Sequence, residues 1–108
     1  MPNYQTLTPL EFKQRIDQGE KLRLIDVREP EELELVGLEA AEPFPLSRLN
    51  EWAGTLNPAE EIVFMCHHGV RSAHVCEFFA QQGFSKLYNL AGGIDRWAHE
   101  VDPAIGTY

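Results

Sequence analysis

The sequence predicts an α/β fold, a central, mostly parallel sheet flanked by helices. Short apolar runs rich in strand formers recur at 22–27, 61–66 and 85–93. Stretches with helix-start signals separate them, and this alternation is the pattern of βα units. No repeat, linker or low-complexity tract divides the chain, so residues 1–108 read as one domain.

The elements follow in order. "TPLE" from Thr8 is a capping box with Pro9 at the first helical position, and Gly19 is a natural stop. "LRLIDV" is a buried strand. "REPEELELVG" reads as a helix with Pro30 near its start, acidic residues in its first turn and Gly37 at its end. Its carboxylates (Glu29, Glu31, Glu32, Glu34) are expected on a solvated face. Pro43 and Pro45 force an extended entry to the next segment, which turns helical from Ser47. "EIVFMC" is a second strand, followed by a loop and a helix. "SKLYNLAGG" is a third strand with a glycine turn, and "GIDRWAHE" is a last short helix.

Composition narrows the function classes. The net charge of −8, from 17 acidic and 9 basic side chains, leaves no basic face for a nucleic acid partner. No apolar run approaches the roughly 20 residues of a membrane helix. The first residues lack the basic and apolar regions of a signal peptide, so a cytoplasmic setting is expected. Two cysteines, Cys66 and Cys76, do not make a disulfide framework.

The chemistry concentrates at "CHHGVRS", Cys66 to Ser72. A thiol there stands at the tip of a strand and just before a helix. Gly69 supplies a position that takes positive φ without strain. If the loop curls around the sulfur, the amides of His67, His68, Gly69, Val70, Arg71 and Ser72 point inward, and the helix adds its dipole. Such a cradle favours thiolate over thiol and stabilises an anion on the sulfur. A cradled thiolate can attack an electrophile and hold the transferred group covalently.

"LIDVREPEEL", "CHHGVRS", "NLAGGIDRW" and the closing "VDPAIGTY", in this order, resemble the rhodanese family of sulfurtransferases, in particular its single-domain bacterial members. The resemblance implies a rhodanese domain over the whole chain and sulfane-sulfur transfer through a persulfide on Cys66. It implies a small sulfur donor (thiosulfate or a persulfide), a thiol or cyanide acceptor, and a sulfur-accepting protein as a further partner. No cofactor and no metal are expected. The Asp-Val-Arg unit implies that Asp26 and Arg28 form a polar network supporting the loops beside the site. Related phosphatases and arsenate reductases place five residues between cysteine and arginine. Here only four separate Cys66 from Arg71, which narrows the ring of amides and favours a terminal sulfur over a tetrahedral phosphate.

Two departures bear on substrate. Many thiosulfate-using relatives carry Arg directly after the cysteine, whereas this chain has His67. Histidine is cationic only when protonated, so thiosulfate is expected to bind weakly near neutral pH and better below it. "VGLEAAEPF" replaces a Gly-His-Ile-Pro-Gly-Ala pattern. The remaining features read as structural. Cys76 shares a helix face with Phe79 and Ala80 and belongs to the core, and His74 is solvated. Trp97 and Gly92–Gly93 are packing and turn residues. His67, His68, His74 and His99 match no zinc spacing. Arg71, in the first turn of a helix where the dipole disfavours cations, is expected to meet an anionic donor. An alternative to catalysis is a rhodanese module that binds a partner or senses persulfide.

Overall fold

The computed structural model of the protein describes residues 3–108. The chain runs β1 (Gln5–Leu7), α1 (Pro9–Asp17), β2 (Arg23–Asp26), α2 (Pro30–Leu35), β3 (Glu42–Pro43), α3 (Leu49–Trp52), β4 (Ile62–Met65), α4 (Val70–Gln81), β5 (Leu87–Leu90) and α5 (Gly93–Glu100). Short 3-10 turns at Leu46–Arg48, Ala53–Thr55 and Pro103–Ile105 complete it. The five strands form one sheet in the order β1-β5-β4-β2-β3, with every pairing parallel. The expected α/β architecture is present.

Helix starts follow the local chemistry. Thr8 Oγ1 accepts from the Glu11 amide, and Glu11 Oε1 accepts from the Thr8 amide, which closes the capping box. α2 begins at Pro30 but stops at Leu35, before Gly37, because Val36 is already extended. Two strands escape the sequence reading. β1 has three residues and exists through its pairing with β5. β3 has two, Glu42 and Pro43, and lies on the sheet edge, the position that tolerates a proline.

The central strand β4 is buried on both sides, as parallel strands under helices are. Its side chains alternate. Ile62, Phe64 and then Cys66 join Val75, Cys76 and Phe79 in one core layer, while Val63 and Met65 join Leu90, Ile94 and Trp97 in the other. Cys66 therefore stands at the carboxyl end of the middle strand, on the α4 side. Asp26 ends the neighbouring strand in register with Met65. No helix among the described residues is long and apolar enough to cross a membrane.

Cys76 is fully buried, as the helix spacing predicts. Burial pushes its thiol up to about 12, with the Glu77 charge adding to the effect. It should therefore stay unmodified when the native protein is alkylated at about pH 8, a pH at which an exposed thiol reacts. Peptide mapping after native and denatured alkylation checks this. Equal labelling in the two conditions would show that Cys76 is not packed in this layer.

Candidate active site

β4 gives way to α4 through Cys66–Gly69, and this turn is built by hydrogen bonds to its carbonyls. α5 arrives with its amino end over the loop. The Ile94 amide donates to Cys66 O (2.9 Å) and the Asp95 amide to His67 O (3.1 Å). In a trans peptide the N–H points opposite to the C=O, so the amides of His67 and His68 face away from α5. Gly93 permits the approach. It has φ +59°, and a β-carbon there would lie 2.4 Å from both Cys66 O and His67 O. Gly69, with φ +104°, then turns the chain into α4.

The sulfur receives polar contacts from this loop. The Gly69 amide donates to Cys66 Sγ at 3.1 Å, and Ser72 Oγ lies 3.4 Å from it. Ser72 is buried and donates to Asn89 Oδ1 (2.5 Å), while Asn89 Nδ2 donates to Gly69 O (3.0 Å). Asn89 thus ties the loop to β5. A hydroxyl has one proton. With that proton on Asn89, Ser72 Oγ can only accept from the thiol S–H. Once the sulfur is ionised, rotation of the hydroxyl turns the same proton toward it. Ser72 is therefore a two-position donor beside the sulfur, and Asn89 holds its resting position. Cys66 itself is only 1% exposed. What distinguishes it from the equally buried Cys76 is polar company, not accessibility.

Around this centre the charged residues are paired. Asp26 and Arg28 form a buried ion pair (2.7 Å) at the end of β2. Arg28 also donates to Val36 O (2.8 Å), Glu32 O (3.4 Å) and the Tyr108 hydroxyl (3.1 Å). Glu32 is not on a solvated face as expected. The start of α2 aims it at α4, where both its oxygens accept from the Arg71 guanidinium (2.7 and 2.8 Å). Tyr108 donates to the same carboxylate (2.9 Å). The Arg71 hydrogen bonds, opposed by partial burial, hold Glu32 down at about 2, so it is ionised at any working pH.

The histidines divide. His67 lies flat against the Tyr108 ring (centroids 3.9 Å, 6° between planes), and its Nε2 is buried without a partner among the described residues. His68 is exposed, as are Val70 and His74. His67, His68 and Asp95 bring ligand-type atoms within 4.8 Å of one another. The rings of His67 and His68 lie 3.8 Å apart, centroid to centroid, with 31° between their planes.

The loop residues Cys66, Gly69 and Ser72 therefore meet at the sulfur. Arg71 goes to Glu32, and Asp26 with Arg28 buttresses α2. Sequence pattern gives no site role to Asn89 or Tyr108, reads Glu32 as part of a solvated face and reads Gly93 as a turn residue. Asn89 and Gly93 lie inside "NLAGGIDRW", and a lone polar residue in the apolar run of β5 is the one local signal for Asn89.

A parallel sheet carrying a cysteine in a strand-to-helix loop, with a loop amide donating to the sulfur and a hydroxyl beside it, defines a thiol-centred site. A model of the rhodanese-like domain matches residues 8–100, and the chain belongs to that family. It is 40% identical over 93 residues to the rhodanese-like/PpiC domain-containing protein 12, chloroplastic, of Arabidopsis thaliana, covering 82% of this chain and 31% of that protein. It is 38% identical over 92 residues to the putative sulfurtransferase YtwF of Bacillus subtilis, covering 85% and 88% respectively. The rhodanese-related protein from Thermoplasma volcanium superposes with a TM-score of 0.80 at 30% identity, over 91% of this chain and 94% of that one. The chain thus spans about a third of its Arabidopsis relative and most of YtwF.

Proposed function

We propose that the chain is a sulfurtransferase that carries sulfane sulfur as a persulfide on Cys66, acting as a rhodanese domain over residues 1–108 in the cytoplasm. The observation that carries the reading is the Gly69 N–H on Cys66 Sγ, with Ser72 as a second donor once the sulfur is charged. The Cys66 thiolate attacks the outer sulfur of the donor. A sulfur–sulfur bond forms on the protein as the donor's own breaks, and sulfite or a thiolate leaves with the bond's electron pair. Attack by cyanide or a thiol on the terminal sulfur then regenerates the Cys66 thiolate. Donor and acceptor balance the exchange, so no cofactor or metal enters it. The sulfurtransferase name of the Bacillus relative supports the same class of reaction.

Intact mass after incubation with thiosulfate or glutathione persulfide tests the reading. A gain of one sulfur atom is expected, absent in Cys66→Ser and reversed by cyanide with release of thiocyanate. No gain with either donor would sink it. The near-complete burial of Cys66 favours a second reading, a partner-binding or persulfide-sensing module. A persulfide that forms but never passes to cyanide or a thiol would select that one.

A further inference from the structure

The arginines around the loop are committed. Arg71 is held by both oxygens of Glu32, Arg28 by Asp26, and Arg96 on α5 pairs with Glu100. Tyr108 reinforces the first of these pairs, since its hydroxyl accepts from Arg28 and donates to Glu32. Among the described residues, the buried polar side-chain atom without a partner is Nε2 of His67, next in sequence to Cys66, and it belongs to an imidazole where a guanidinium would have been the stronger anion handle. The net charge of −8 adds no attraction for an anion.

We propose that Glu32 sets the donor class. By neutralising Arg71 it disfavours thiosulfate, whose double charge sits next to the transferred sulfur. It leaves the site to organic persulfides in the protonated form R–S–SH, whose outer sulfur is uncharged and whose remaining charges lie away from it. This rests on the sulfurtransferase reading above. In the step so favoured, the Cys66 thiolate bonds to the outer sulfur of R–S–SH and the inner S–S bond breaks. R–S⁻ departs with the electron pair, and the proton stays on the new persulfide or goes to solvent. Glu32 touches neither donor nor sulfur. It acts through Arg71 and is a positioning residue.

The test compares kcat/KM for thiosulfate and for glutathione persulfide, with cyanide as acceptor. In a double-displacement scheme each value reports the donor half-reaction alone. Glu32→Gln keeps the shape and removes the charge, and should raise the thiosulfate-to-persulfide ratio about tenfold. Glu32→Asp keeps the charge and should hold the ratio within about twofold of the native protein. An unchanged or lower ratio in Glu32→Gln, or an equal rise in Glu32→Asp, overturns the proposal. If Glu32→Gln does not fold, the native protein decides. Its thiosulfate kcat/KM should be flat or rise between about 50 and 300 mM salt, and a steep fall would reveal an unneutralised cation and overturn the idea. Failure of both donors to load Cys66 strikes the sulfurtransferase reading itself. Loading with an unmoved ratio strikes only the role of Glu32.

Discussion

Gly93→Ala should unfold the cysteine loop while leaving most of the sheet in place. The substitution asks a non-glycine residue to hold φ +59° and puts a methyl group 2.4 Å from two carbonyl oxygens. Those oxygens belong to Cys66 and His67, and neither can retreat without breaking its bond to the amino end of α5. The strained dihedral and the overlap should together destabilise the protein by about 3 kcal/mol or more. Gly54→Ala is the control. It has no atom within 4 Å of the added carbon and no positive φ, and should stay within about 0.5 kcal/mol. Urea melts measure both. A Gly93→Ala protein as stable as Gly54→Ala, with an intact Cys66 reaction, would mean that α5 does not press on the loop as described.

Arg28→Ala should be comparably damaging for a different reason. All five guanidinium donors are used, on Asp26, Val36 O, Glu32 O and the Tyr108 hydroxyl. Removing the side chain leaves the Asp26 carboxylate buried without its counter-charge and takes the guanidinium donor from Val36 O, while Glu32 O keeps the Val36 amide. Loss of one partner of such a pair is worth about 3–5 kcal/mol. Arg23 is the comparison. It also pairs with carboxylates, Glu42 and Glu60, but a quarter of its side chain is exposed, so Arg23→Ala should cost about 1 kcal/mol or less. Arg28→Lys keeps a charge but has only three donors, and should fall between the two. Similar melting curves for Arg28→Ala and Arg23→Ala would contradict the buried network.

Residues whose structure depends on near neighbours were legible from sequence. The capping box at Thr8, the strand ending at Cys66, the helix after Gly69 and the last helix from Gly93 all follow from local pattern. What was not legible depends on partners far along the chain. β1 is three residues long and strand-like only because β5 lies beside it. Glu32 has the local signature of a solvated acidic helix, and nothing within four residues announces Arg71, thirty-nine positions away. Asn89 looks like one more polar residue in a strand until folding brings it to Ser72 and Gly69. Tyr108 joins Arg28 and Glu32 across still longer separations. At the site, therefore, the thiol and its turn could be read in advance, but the residues that orient and neutralise their surroundings could not.

The alternation of side chains along β4 makes the length of that strand a chemical quantity. Inserting or deleting one residue between Ile62 and Cys66 would keep every letter of the loop, yet rotate the sulfur to the Met65 side of the sheet, under Ile94 and Trp97. Neither Ser72 nor the amide of Gly69 could follow it there. Drift in this protein can therefore change the identities of the strand's residues far more freely than their number. An odd-numbered slip would strip the sulfur of both polar contacts at a stroke, with the sequence motif still intact to the eye.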